Sequence, residues 1–310
     1  MRSHARVRRA IFLWRGTAIS VRFARMASHI NDAALEWRAG VLLGCVAALI
    51  VGACTTTRPS RDVEAVQQNT GTTVSDAAPK DAADDLSRQA TDPTASLMSL
   101  GLIGGYSGPY RGNAPGLDDH TTRIKFQPVI PFKAWGADNI LRVSIPYTTG
   151  GRGETGLGDV SIFDLVVIHE DWGRWGIGPV MTFAGDVDAP DPFVAGPAIG
   201  GVYQVDKGLN VGLFNQNVFG GDTAISQFQP IVAYQLGDGL ALSGGDLQFI
   251  YDWKHDRWQS VPIGLQIGKV TRIGGQPMRF AFNPQYEMLH DDGLPRWTLN
   301  LSVTLLVPTH

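Results

Sequence analysis

The chain has 310 residues, 18% of them charged, with 37 glycines, 18 prolines and a net charge of -3. Low charge with abundant glycine and proline favours a turn-rich β protein over a helical one. A slightly acidic chain without a basic stripe also speaks against a nucleic-acid partner. Cys45 and Cys54 are the two cysteines and both lie early, which leaves the remainder without disulfide or thiolate chemistry.

Residues 1–38 carry eight arginines against only Asp32 and Glu36, and the uncharged run Gly40–Ala53 comes next. Fourteen residues fall short of the ~20 that span a bilayer and suit the apolar core of a secretory signal. The long basic stretch before it suggests a translation start at Met26. Val51-Gly-Ala-Cys54 resembles a bacterial lipobox, a signal whose cysteine is lipidated and becomes the first mature residue. Val51 and Ala53 also satisfy an ordinary small-residue cleavage rule, so both routes stay open. Thr55 stands where such signals place an aspartate for inner-membrane retention, and the resemblance therefore points to the outer membrane. Residues 1–54 are thus expected to be a signal segment. Residues 55–96 hold no aromatic residue and are expected to be a disordered periplasmic linker. A short helix near Lys80 to Arg88 is the one structure expected in it.

From residue 97 to 310 the apolar period is two. Strands are expected near 97–104, 120–132, 138–147, 159–170, 174–184, 195–205, 209–219, 226–236, 240–251, 259–270, 277–288 and 296–307. The last is the clearest, with Trp297, Leu299, Leu301, Val303, Leu305 and Val307 on one face and Thr298, Asn300, Ser302 and Thr304 on the other. The connections alternate in length, longer ones at 105–119, 148–158, 185–194, 220–225, 252–258 and 289–295, shorter ones between. That asymmetry fits long external loops and short periplasmic turns. Phe132, Trp135, Trp172, Trp175, Tyr203 and Tyr234 fall at the short-turn ends. Tyr147, Phe183, Phe219, Tyr251, Trp253, Trp258 and Trp297 fall at the long-loop ends, as two aromatic girdles. The expected fold is all-β, a transmembrane antiparallel up-and-down barrel of about 12 strands. Pro128, Pro131, Pro146, Pro179, Pro197, Pro230, Pro262 and Pro284 stand against it, because proline cannot donate to a strand ladder; bulges would absorb some of them.

Gly151, Gly153 and Gly156 spell the G-x-G-x-x-G of a dinucleotide site. That motif must open a helix whose amides hold the pyrophosphate. The run just after these glycines, Asp159-Val-Ser-Ile-Phe-Asp-Leu-Val-Val-Ile168, reads as a strand. Residues 150–158 therefore read as an external hairpin loop, with glycines for positive φ.

Six motifs in register carry a resemblance: Asp92-Pro-Thr-Ala-Ser-Leu-Met-Ser-Leu100, Phe126-Gln-Pro-Val-Ile-Pro131, Gly156-Leu-Gly-Asp-Val160, Trp175-Gly-Ile-Gly-Pro-Val180, Ser226-Gln-Phe-Gln-Pro230 and Val261-Pro-Ile-Gly-Leu265. Over residues 92 to 307 the chain resembles the bacterial outer-membrane barrels named for the MetA pathway of phenol degradation, some of which carry the mistaken name neuromedin U. That family's prolines sit where these do. The resemblance implies passage of small, aromatic or apolar molecules across the outer membrane, and brings no agreed site residues. The chain departs from the family's usual pattern in its lipobox, its long linker and its end, which lacks the terminal aromatic many such barrels carry.

With apolar faces turned to lipid, the lumen is expected to receive Arg123, Lys125, Gln127, Arg142, Ser144, Asp164, Gln227, Gln229, Asp246, Gln248, Gln266, Arg279, Asn283, Gln285 and Glu287. These either fill the interior or line a conducting pore. Asn215-Gln-Asn217 breaks the alternation, which suggests a bulge or a lateral opening. Acidic outer loops, such as Asp186, Asp188 and Asp191, could share divalent cations with lipopolysaccharide or be solvated turn residues. His255 with Asp252 and Asp256, and His290 with Asp291 and Asp292, are the material for a loop-borne hydrolase. No cofactor motif or metal-ligand spacing is present. The expected partners are outer-membrane lipid and lipopolysaccharide, the barrel-assembly machinery, and a small-molecule solute; a structural barrel without transport is the alternative.

Overall fold

The computed structural model describes residues 79–112, 120–150, 155–186, 189–206 and 208–308. The expected signal, Cys45, Cys54 and the linker up to residue 78 lie outside the described residues. One helix, α1 (Pro79–Ala90), precedes twelve wall segments: β1 (Met98–Tyr110), β2 (Thr121–Ala134), β3 (Ala137–Thr149), β4 (Val160–Glu170), β5 (Gly173–Phe183), β6 (Phe193–Gln204), β7 (Leu209–Gly220), β8 (Thr223–Gly237), β9 (Leu240–Ser243 and Phe249–Asp252), β10 (Arg257–Ser260, Pro262–Gly264 and Gln266–Ile273), β11 (Gln276–Glu287) and β12 (Pro295–Val307). Every segment pairs antiparallel with its sequence neighbours. The last, β12, returns to β1, with Met98 opposite Val307 and Tyr110 opposite Pro295. The result is a closed up-and-down barrel of twelve strands.

The turns explain the register. Trp135-Gly136, Asp238-Gly239 and Gly274-Gly275 each put two successive residues at positive φ, the geometry whose twist matches flanking strands in a two-residue hairpin. The opposite end carries longer connections at 111–120, 150–159, 184–192 and 288–294, although Gly221-Asp222 there is as short as any. After Gly156, β4 runs as a strand, so no helix receives a phosphate. Among the described glycines of that loop Gly150 has positive φ, whereas Gly158 is close to the Pro146 ring and donates its N–H to Pro146 O at 2.8 Å.

Two of the prolines fall at gaps in pairing, whereas Pro230 and Pro284 sit in continuous registers. The β2–β3 register skips from Phe126 to Val129 around Pro128, and the β6–β7 register skips from Ala195 to Ala198 around Pro197. Pro179 and Pro197 face each other across β5 and β6. Each lost donor removes one bond from one ladder, which a twelve-strand cylinder tolerates.

The outside is apolar, with Leu102, Ile124, Ile177, Ile199, Leu213, Val232, Ile267 and Leu301 exposed. Trp135, Trp172, Tyr203 and Tyr234 are exposed toward the short turns, and Tyr147, Phe183, Phe219, Trp253, Trp258 and Trp297 toward the long loops. These are two lipid-interface belts. The inside is divided. Ile140, Phe163, Leu165, Val167, Val180, Val194, Ala198, Val202, Phe214, Val218 and Ile231 form one buried apolar cluster. Cα atoms of β4 and β6, and of β5 and β7, approach within 8 Å across the strand between them, less than about twice the strand spacing of a flat sheet. The wall therefore bends sharply there, and its inner side chains close on one another.

Candidate functional site

The polar lumen begins at the short-turn end, where the chain enters the barrel. The last part of the expected linker carries the short helix expected near Lys80 to Arg88, and residues 79–97 pack against the barrel. Leu86 of α1 packs with Leu97, Val270 and Leu306, the last two being inward-facing residues of β10 and β12. Asp84 accepts a hydrogen bond from Gly239 N at 2.5 Å. The next turn is tied by Asp92, whose Oδ1 accepts from Thr94 N at 2.8 Å and Thr94 Oγ1 at 2.6 Å. The other oxygen of Asp92 meets Arg174 of β5 at 2.5 Å, with the Asp92 side chain 2% exposed. The segment thus reaches from β10 to β5 and closes this end of the lumen. A run without aromatic residues cannot fold alone; two leucines and two aspartates suffice when a barrel supplies their partners.

Above this floor lies a cavity of about 550 Å³, lined at its base by Gln89–Pro93 and rising past Lys125, Arg142, Asp246 and Arg279 to Glu287 and Thr298 at the long-loop end. A second lobe of about 330 Å³ adjoins it on the side of β3 to β5 and shares Arg123, Lys125, Gln127, Arg142, Phe163 and Gln248 with it.

Between the two pieces of β9, residues 244–248 fold inward. Asp246 is carried to Lys125 Nζ at 2.6 Å and accepts from Gln229 Nε2 at 3.2 Å. Gly245, at φ 69°, sits against the Asn283 side chain, where a Cβ would stand 3.0 Å from it. Arg142 lies over Phe163 with its guanidinium carbon 4.4 Å from the ring centroid, and 5.7 Å from that of Phe214. Arg279 Nη2 donates to Gln266 Oε1 at 2.7 Å. At the long-loop rim Glu287 bridges the broken β10, accepting from Ser260 Oγ at 2.6 Å and Val261 N at 2.8 Å.

Of the residues expected in the lumen, Arg123, Lys125, Gln127, Arg142, Ser144, Gln227, Gln229, Asp246, Gln248, Gln266, Arg279, Asn283, Gln285 and Glu287 line one lobe or the other. Asp164 does not. It pairs with Leu141 across β3 and β4, whereas Phe163 pairs with Arg142. Phe163 faces inward, so Asp164 faces out. Both faces of β4 are largely apolar, and the inward one is chosen by its neighbours: Gly176 and Gly178 let the β4 backbone and Leu165 come close, and Gly200 leaves room for the Phe214 ring. Sequence pattern also did not reveal the infolded segment 244–248 or the floor; the paired Gly244-Gly245 was the one local signal for the former.

The break at Asn215-Gln-Asn217 resolves into a seam of outward polar groups. Gln216 faces the second lobe. Asn217 Nδ2 donates to Pro197 O at 3.3 Å and to Asn215 Oδ1 at 2.5 Å. Its Oδ1 accepts from Ser226 Oγ at 2.5 Å, and Ser226 accepts from Trp253 Nε1 at 2.8 Å. These bonds satisfy polar groups that would otherwise meet hydrocarbon, next to the pairing gap left by Pro197.

In the outer loops His255 Nδ1 is 2.7 Å from Asp252 Oδ2, which also accepts from Gln259 Nε2 at 2.9 Å. Among the described residues no hydroxyl bonds to His255 and no contact joins it to His290. The acidic residues hold turns: Asp191 accepts from Asp222 N at 2.8 Å and Thr223 Oγ1 at 2.8 Å. Among the described residues no group of three or more His, Cys, Asp or Glu is placed to hold a metal ion.

No protein-family model matches the chain, and no curated protein sequence matches it. Solved structures do. An outer-membrane channel from Pseudomonas putida F1 aligns with a TM-score of 0.50 at 10% identity, over 68% of this chain and 96% of that one. The NanC porin aligns at 0.46 and 14% identity, over 66% of this chain and 98% of that one. The outer-membrane phospholipase A of Escherichia coli aligns at 0.40 and 12% identity, over 69% and 98%. The first likeness establishes the fold as that of an outer-membrane barrel.

Proposed function

We propose that the chain is an outer-membrane channel admitting small molecules from the long-loop, external side into the lumen. Exit to the periplasm requires movement of residues 79–97. The observation that carries this reading is the 550 Å³ cavity running along the barrel interior to that floor; a barrel filled by its own side chains would leave no such space. The resemblance to barrels of the MetA phenol-degradation type supports small aromatic solutes, as does the mixed lining, where Ile140, Phe163 and Ile231 face the same cavity as the charged groups. Lipidation of Cys54 would hold the start of the mature chain at the membrane surface near the floor it forms. Lipopolysaccharide would surround the external loops, and assembly would use the general barrel route.

The test is uptake into liposomes carrying the refolded chain, comparing phenol with a sugar of similar size. Asp92→Ala, which unties the floor from Arg174, is expected to raise uptake severalfold over wild type. Failure of both wild type and Asp92→Ala to exceed protein-free vesicles, with folding shown by circular dichroism, would leave a structural barrel. That second reading rests on one observation, the closed short-turn end.

A further inference from the structure

The lumen carries cations that its own anions do not answer. Four inward-facing residues, Arg123, Lys125, Arg142 and Arg279, line the main cavity with three carboxylates, Asp246, Glu287 and, in the floor, Asp92, which is held by Arg174. Lys125 takes Asp246, and Glu287 is occupied at the rim by Ser260 and the backbone. Among the described residues, neither Arg142 nor Arg279 has a carboxylate within 4 Å. Arg142 donates no hydrogen bond to any described residue, and its Nε is buried without a partner. Arg279 is 7% exposed, and its Nε likewise has none. Asn283, 1% exposed, leaves its Nδ2 unpaired in the same wall. Guanidinium groups held out of bulk water without a contacting carboxylate are costly, and unpaired donors add to that cost.

The site is built rather than incidental. Arg142 is held over the Phe163 ring and beside Phe214, a contact that leaves its N–H groups for a third party. Gln266 orients Arg279 from one side. The infolded loop brings Asp246 into contact with Lys125; it attracts Arg142 and Arg279 as well, so one carboxylate serves three cations. Ile140, Phe163 and Ile231 give the same cavity an apolar side.

The geometry points to a binding site for a small organic carboxylate, its charged end between Arg142 and Arg279 and its apolar body against Ile140, Phe163 and Ile231. A planar carboxylate matches the guanidinium fork with two parallel hydrogen bonds, and Asn283 Nδ2 supplies a further donor. This assignment deepens the channel proposal by naming the class of solute the cavity holds, and so rests on it for its biological meaning, but binding is measurable without transport.

The experiment is titration calorimetry of benzoate, benzamide and inorganic phosphate into the refolded full chain in low-chloride buffer. Benzoate is expected to bind at least about tenfold more tightly than benzamide, which shares its shape without the charge. Arg142→Gln and Arg279→Gln, each checked for folding by circular dichroism, are expected to weaken benzoate at least about tenfold and leave benzamide unchanged. Should either glutamine variant fail to fold, Arg142→Lys and Arg279→Lys keep the charge and are expected to lose the paired hydrogen bonds, with a smaller weakening. Equal binding of benzoate and benzamide, or wild-type benzoate affinity in folded variants at both positions, overturns the site. Tighter binding of phosphate than of benzoate overturns the carboxylate assignment. Benzoate binding without liposome uptake of phenol would sink the channel and leave the site standing. Uptake of phenol with no preference for benzoate over benzamide would do the reverse.

Discussion

The wall from β4 to β7 and the wall from β9 round to β2 obey the same two-residue period and solve the interior differently. In the first, glycines on the inner face let the sheet bend until Phe163 and Phe214 meet, their centroids 5.1 Å apart. Much of the space that could have been lumen is apolar core, with the 330 Å³ lobe left beside it. In the second, serine, threonine, asparagine, glutamine, lysine and arginine project inward. They cannot pack without water or a ligand, so a cavity remains. Twelve strands permit either outcome; the inner-face side chains choose.

That contrast can be broken deliberately. The largest effect is expected from Gly178→Ala in the dry half, where a Cβ would stand 1.8 Å from Asp164 O. No folded barrel should be recovered, as read by loss of the heat-modifiable band on electrophoresis. Phe214, fully buried, comes next: Phe214→Ala is expected to destabilise by about 3–5 kcal/mol, the usual range for deleting a core aromatic, measured by denaturant unfolding in lipid vesicles. Leu301, at the middle of β12 and 64% exposed, tests whether the polar half still faces lipid on its outside. Leu301→Arg should cost about 2–4 kcal/mol there, and no cost at all would mean that this surface is not in hydrocarbon. The smallest effect belongs to Gly244→Ala in the infolded loop, where the nearest atom to a new Cβ is Leu247 Cδ1 at 3.5 Å. Its stability should stay within about 0.5 kcal/mol of wild type, because this position, unlike Gly178, has room for a Cβ.

Legibility in the sequence tracked the same division. In the polar half the alternation was unambiguous. Thr298, Asn300, Ser302 and Thr304 opposite Leu299, Leu301 and Val303 told the inside from the outside, and the expected lumen residues from β2, β3 and β8 to β11 face the cavity. In the dry half both faces of a strand are apolar, so the pattern carried the period but not its sign, and Asp164 was assigned to the wrong side. The break at Asn215-Gln-Asn217 was visible, but its meaning came only with Ser226, Trp253 and the carbonyl of Pro197, all distant in the chain.

Sequence alone determined the number of strands, their antiparallel order, most of the long connections though not the short one at Gly221-Asp222, and the apolar outer belt, because each depends on residues a few positions apart. Tertiary structure decided which face of β4 looks inward, where β9 leaves the wall to bring Asp246 to Lys125, and that residues 79–97 close one end of the lumen. Those outcomes turn on pairs such as Asp92 with Arg174 and Leu86 with Leu306, whose contact free energy exists only once the barrel has closed and brought them within reach.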